Sequence, residues 1–205
     1  TAFIYNTESL PNAPQSFDEL LAADDSLSLV IQDPRSSISG LALVLWVKSV
    51  YGARAESVWE QLAPKILTVT KGWSESYGLF TDGEADMVLS YTTSPAYHIV
   101  AEGDLTKKAA IFPEGHYFMV ELAAKIAGTD NPELADAFLA FILTDTFQNL
   151  IPTGNWSLPV ALPVPEWPEA FQELPLPEKV LFYSEDEAAD LRAETIEEWR
   201  RALSK

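Results

Sequence analysis

The stretch SLVIQDPRSSISGLALVLWV, residues 28–47, decides how this chain is read. Ser28–Gln32 is a short apolar run with strand character, and Asp33-Pro-Arg-Ser-Ser37 breaks it with a proline and turn-forming polar residues. From about Ser39 the spacing predicts a helix reaching Tyr51. Leu41, Val44, Leu45, Trp46 and Val47 make it apolar almost all round, which places it between other layers rather than on the surface. A strand, a polar turn and a buried helix form the first half of a βαβ unit.

Working outward, the same rhythm repeats. Residues 1–5 suit a strand, and Ser16-Phe-Asp-Glu19 reads as a capping box opening a helix from about Phe17 to Ala23. Val58, Trp59 and Leu62 give helical spacing over 55–65, and Leu67–Thr70 is a β-branched strand. Trp73–Thr81 is helical, with its stop near Gly83. Met87–Tyr91 is a strand, and Ser94-Pro95 caps and starts a short helix through Tyr97 and Val100. Short connections between alternating elements predict an α/β layer with a largely parallel sheet.

Beyond Ala109 the pattern changes. Ala109–Phe112 and His116–Leu122 read as strands, and Asn131 caps a helix whose face carries Leu134, Phe138 and Ile142. A short helix follows over about Asp145–Leu150, Thr153–Trp156 is a loop, and the proline-rich segment to Pro177 reads as an extended crossing anchored by Val160, Trp167, Phe171 and Leu174. Ser184–Glu187 is a second capping box. The helix it opens has acids in its first turn and Arg200, Arg201 and Lys205 at its end, which complements the macrodipole.

Composition narrows the function classes. The 205 residues carry 13 basic and 31 acidic side chains, a formal net charge of −18. Such a field repels phosphodiester backbones and anionic membranes, so nucleic acid is not an expected partner. There are no cysteines, which removes disulfides, zinc–thiolate sites and thiol catalysis. No run reaches the roughly 18 apolar residues of a membrane span. Thr1–Tyr5 reads as a strand already in progress, so an export signal is expected upstream. Six Trp in an 11% aromatic chain point to a recognition surface.

Ligands of open α/β sheets bind beyond the carboxyl ends of strands. Four segments placed there by the sequence reading are Asp33–Gly40, Lys71–Tyr77, Ser90–Tyr97 and Thr153–Trp156. In the first, Ser36 and Ser37 precede a buried helix, whose free amides and dipole suit an anion such as a phosphate; simple capping by Ser37 or Ser39 is the competing reading. Trp73, Tyr91, Tyr97 and Trp156 offer flat π faces for a cationic heterocycle, although rings in these positions also plug sheet ends. His98 and His116, the two imidazoles, have no triad or zinc partners in sequence reach and read as structural.

Six motifs then carry a family likeness. They are YNxxxL at residues 5–10, IQDPRSS at 31–37, TVTKGWSESYG at 68–78, VLSYTTSPAYH at 88–98, EGHY at 114–117 and IPTGNW at 151–156. Together they resemble the thiamine-binding solute-binding proteins of bacterial ABC importers. The resemblance implies an α/β, periplasmic-binding-protein-like II fold and a periplasmic location. Thiamine, thiamine monophosphate or thiamine diphosphate would be carried as ligand to a membrane permease, with no catalytic residue and no metal. It implies that Ser37, Trp73 and Tyr91 surround the phosphate or hydroxyethyl end, with Ser36 keeping a second hydroxyl there, and that Tyr97 and Trp156 lie against the heterocycles.

The family carries a further N-terminal stretch that is not in these 205 residues. On that basis residues 6–112 are expected to form the second lobe nearly whole. Residues 1–5 and 113–205 would be the C-terminal part of the first lobe, with apolar surface open to self-association. Two other readings remain. A ferric-ion or polyamine binder would use Tyr91 and Tyr97, or acids such as Asp33 and Glu75. A thiamine-degrading enzyme is disfavoured by the absence of cysteine.

Overall fold

A computed structural model describes every residue, Thr1–Lys205. The alternation read from the first half is realised as β1 (Ala2–Asn6), α1 (Phe17–Ala22), β2 (Leu29–Gln32), α2 (Ile38–Tyr51), α3 (Ala55–Leu62), β3 (Ile66–Thr70), α4 (Trp73–Thr81), β4 (Met87–Ser90), α5 (Ser94–Tyr97) and β5 (Lys107–Ala110). The sheet order is β3-β2-β4-β1-β5. β2 runs parallel to both β3 and β4, while β1 is antiparallel to β4 and β5. Four strands therefore point one way and β1 alone is reversed.

Every residue of β2 and β4 is buried, as expected for strands covered on both faces. β1 shows the alternation directly: Phe3 enters the core on one face, Ala2 and Ile4 the core on the other. α2 lies buried from Ala42 to Lys48. Trp46 is at the centre of the larger core, with ring centroids 4.7 Å from Phe17, 5.5 Å from Phe112 and 6.0 Å from Phe3. A buried indole needs an acceptor, and Trp46 Nε1 donates to the Gly115 carbonyl at 2.7 Å.

The remaining elements are β6 (His116–Tyr117), α6 (Pro132–Phe141), α7 (Asp145–Gln148), α8 (Ile151–Gly154), α9 (Glu169–Gln172), β7 (Val180–Leu181) and α10 (Glu185–Leu203). α10 packs on α2 and α3. Its capping box is complete, with Glu187 N–H donating to Ser184 Oγ and Ser184 N–H to Glu187 Oε2. Lys48, buried on α2, is held by Glu194 at 2.8 Å and Glu198 at 2.7 Å, both on α10. No single helix is long and apolar enough to cross a membrane.

Several local expectations need correction. Ser16 caps α1, but Glu19 reaches back to the Gln15 amide rather than to Ser16. The N-cap of α5 is Thr93, with Ser94 and Pro95 already inside the helix. The strand expected over 116–122 ends at Tyr117, because β7 supplies only two paired residues and a last acceptor, the Leu181 carbonyl, for Phe118. The face of α6 is open: Leu134 is 69% exposed and Phe138 52%. Of the anchors expected in the proline-rich segment, Phe171 and Leu174 are buried and Val160 is exposed.

Two compact units result. One contains Thr1–Thr92, Leu105–Met119 and Pro175–Lys205; the other contains Thr93–Asp104 and Val120–Leu174. The boundaries drawn on the sequence, 6–112 against 1–5 with 113–205, concern the lobes of a longer protein, and the compact units of this chain divide differently. β1 is hydrogen-bonded inside the five-stranded sheet and α10 covers its helices, so both join the first unit. Residues 93–104 leave it for the second.

Candidate ligand-binding site

In the first unit three of the four candidate segments follow the carboxyl ends of parallel strands: β2, β4 and β3, adjacent in the sheet. The turn after β2 is wound tightly. The Asp33 amide donates to the Thr70 carbonyl at the end of β3, and the Asp33 carbonyl accepts from the amides of Ser36 and Ser37. The Asp33 carboxylate is held by the Arg35 guanidinium, with Nε at 2.9 Å, and that hydrogen bond keeps its carboxyl below the usual range. Gly40 is required by close approach. A Cβ there would lie 2.4 Å from the Gln32 carbonyl oxygen, so only glycine lets the first turn of α2 seat on the end of β2.

Ser37 is the N-cap residue of α2 by position, yet it makes no side-chain cap. Its hydroxyl is 2.9 Å from Ser39 Oγ instead. Ser36 Oγ donates to the Lys71 carbonyl at 2.8 Å, tying the first candidate loop to the second. The simple capping reading of Ser37 is thus not what the side chain does, and the start of a 14-residue helix keeps its dipole without a capping side chain.

Trp73 opens α4, with Gly72 as N-cap and Glu75 accepting the Lys71 amide at 3.1 Å. Its indole is fixed twice: Nε1 donates to Ser90 Oγ at 2.8 Å, and the ring stacks on Tyr77 at 4.7 Å and 22°. Even so it is 37% exposed. Tyr91, half-buried, directly follows Ser90, so the Trp73–Ser90 bond brings the second and third loops together. Behind them Gln32, buried at the end of β2, donates to Ser76 Oγ and to the Leu89 carbonyl.

The second unit holds the other pair. Tyr97 and Trp156 meet edge to face, centroids 5.0 Å apart at 90°, and Trp156 lies parallel to Phe171 at 6.4 Å and 13°. Tyr97 is 38% exposed. The expected loop Thr153–Trp156 does not follow a strand. Thr153 and Gly154 end the α8 turn, and Trp156 takes φ 53°, a left-handed conformation uncommon for a bulky residue. Backbone cost accepted to aim one indole is typical of functional positions.

The structure therefore groups the six candidates as Ser36, Ser37, Trp73 and Tyr91 in one unit, and Tyr97 with Trp156 in the other. Sequence reading placed Tyr77 and Ser90 in candidate segments and Phe171 among packing anchors, but gave none of them the supporting role the structure shows. Tyr77 was findable, since it stands four residues from Trp73 on one helix face; Phe171 comes from a distant segment with no such signal. Two open concavities, of about 500 and 560 Å³, lie around the C-terminal part of α10, and only Arg35 among their lining residues belongs to a candidate segment.

Small polar groups and rigid, partly exposed rings beyond the ends of parallel strands are features of a solute-binding site. Residues 1–149 match the family described as bacterial extracellular solute-binding protein, and the chain belongs to that family. It is similar to the thiamine-binding periplasmic protein of Escherichia coli strain K12, 50% identical over 204 residues, which cover 100% of this chain and 62% of the relative. The protein of the same description from Haemophilus influenzae is 46% identical over 160 residues, 78% of this chain and 48% of the relative.

Among solved structures, a periplasmic thiamin binding protein superposes with a TM-score of 0.94 at 50% identity, covering 100% of this chain and 64% of that one. The periplasmic binding protein AfuA of Actinobacillus pleuropneumoniae shares the fold, with a TM-score of 0.77 at 20% identity over 99% of this chain and 66% of its own. The α/β fold is thus that of periplasmic binding proteins. The chain spans less than two thirds of the length of the curated relatives it matches.

Proposed function

We propose that this chain belongs to the solute-binding component of a periplasmic ABC importer, that it takes thiamine and its phosphate esters as ligand, and that it delivers them to a membrane permease without chemical change. The observation that carries this reading is the state of the rings. Trp73 and Tyr97 are more than a third exposed although each is locked against aromatic neighbours. Rigid rings left open serve recognition at low entropic cost. A thiazolium is permanently cationic and an aminopyrimidine is flat, so both suit π faces. Ser36, Ser37 and the start of α2 suit the opposite chemistry, a phosphate or a hydroxyethyl oxygen.

The other binding classes fit less well. Asp33 is already neutralised by Arg35 and Glu75 accepts a backbone amide of its own loop, so neither is a spare acid for a polyamine. Tyr91 and Tyr97 stand six positions apart rather than adjacent, which disfavours the clustered oxygen donors that ferric ion needs. The absence of cysteine argues against cleavage of thiamine by a thiol nucleophile.

Thiamine titrated into this chain and into a protein of the relatives' full length is expected to quench Trp fluorescence. Trp156→Ala should weaken binding about tenfold or more, the scale of a desolvated cation–π contact with its packing. Unchanged affinity removes Trp156 from the site. Ser37→Ala should weaken the phosphate esters more than thiamine itself, and an equal effect on all three would place the phosphate elsewhere.

A further inference from the structure

Directly after Tyr97 the chain makes a wide helical turn, His98–Glu102, and then reverses through Gly103 at φ 67°. The amides of Gly103 and Asp104 both donate to the His98 carbonyl, the latter at 3.0 Å. This turn gathers three side chains at one point. His98 Nδ1 stands 2.7 Å from Glu102 Oε2, and one ligand atom from each of His98, Glu102 and Asp104 lies within 4.8 Å of the other two. Turns of this wide kind occur disproportionately at functional positions.

We propose that His98, Glu102 and Asp104 bind one first-row divalent cation, with water completing its shell. One imidazole and two carboxylates are a borderline donor set suited to Zn²⁺ and its neighbours. With metal–ligand bonds of about 2.0–2.2 Å, donors of one shell stand roughly 3–4.5 Å apart, so atoms gathered within 4.8 Å of one another reach a common ion with small side-chain adjustments. Burial divides the site usefully. The His98 side chain is almost fully enclosed, whereas the Glu102 side chain is 45% exposed, leaving a side from which ion and water enter. A net charge of −18 raises the local concentration of cations.

The rest of the chain makes the assignment unusually clean. Its only other imidazole is His116, whose Nε2 accepts from the Phe112 amide and whose Nδ1 donates to the Thr1 carbonyl. No thiol competes. The site also touches the ring pair: His98 lies edge-on to Tyr97 at 5.2 Å and 79°, and Tyr97 contacts Trp156.

The test is a titration of the chain with ZnCl₂, followed by calorimetry and by the imidazole ¹H–¹⁵N resonances. Expected are one saturable site and shifts of the His98 signals with those of His116 unmoved. Glu102→Gln and Asp104→Asn, which keep side-chain shape and remove the charge, should each weaken Zn²⁺ about tenfold or more. Their folded state is checked by circular dichroism, so lost binding cannot be mistaken for lost structure. No saturable binding, His98 signals that do not respond, or affinity unchanged in both variants would overturn the site. Thiamine binding is read separately, so neither proposal stands on the other.

Discussion

The two compact units are built from the same chain by different means. In the first, Phe3, Phe17, Trp46, Trp59 and Phe112 are all buried around a covered sheet. In the second, the buried cluster is Ala96, Phe171 and Leu174, while Leu122, Ile126 and Leu134 stand largely in solvent. The contrast extends to the candidate residues. Those of the first unit are wired by polar bonds, Ser36 to Lys71 and Trp73 to Ser90. Those of the second are held by ring packing and one left-handed backbone. A large core gives precise hydrogen-bond geometry; a small one must shape its site with the aromatic residues themselves.

The strongest way to break that contrast is to remove one large ring from each core. Trp46→Ala deletes the centre of the first core and strands the Gly115 carbonyl, so a loss of about 3–5 kcal/mol is expected in urea denaturation. Phe171→Ala should cost distinctly less, because fewer buried neighbours surround it. Equal costs would mean that the second unit is as well consolidated as the first.

A second test uses pH and acts on the first unit alone. His116 is buried, and its hydrogen bonds require a neutral ring protonated on Nδ1. Burial, opposed by the hydrogen bond to the Thr1 carbonyl and helped to a lesser degree by the Thr1 amine, pushes it down to about 4. The unfolded imidazole takes up a proton below roughly 6.5 and the folded one does not until about 4. The unfolded state thus binds more protons in that window. Stability is complete above it and falls as pH drops through it, by up to roughly 3 kcal/mol. Urea midpoints at pH 7 and pH 4.5 should separate in the parent chain and draw together in His116→Gln. The same separation in both would assign the effect to other groups.

The same division explains what could be read in advance. Strands 29–32, 66–70 and 87–90 and the buried helix α2 were legible because local pattern and final burial agree there: apolar runs end at turn residues, and the sheet covers them. Beyond Met119 that agreement fails. Leu134 and Phe138 have helical spacing, yet the face they mark is uncovered, and Val120 and Leu122 have strand character without a strand to pair with. Ser36, Ser37, Trp73 and Tyr91 could be suspected from their place after strands. Trp156 was suspected on the same ground, but that ground was mistaken, because it follows a helical turn and not a strand. The supports Ser90 and Phe171 become visible only when distant segments meet.

The smallest expected effect sharpens the claim that polar wiring sets the first unit's rings. Trp73→Phe keeps a ring able to stack on Tyr77 and removes only the Nε1 donor to Ser90 Oγ. A single neutral hydrogen bond contributes about 1 kcal/mol, so the stability loss should be of that size. Thiamine affinity should fall by less than about tenfold, since 1.4 kcal/mol corresponds to tenfold. The informative quantity is the balance between the two. If affinity falls while stability is nearly unchanged, the bond aims the ring rather than holding the fold together, which is the role that wiring implies. If stability falls and affinity does not, Trp73 is part of the second-face core around Tyr77 and Phe80, and the open ring is not a ligand contact.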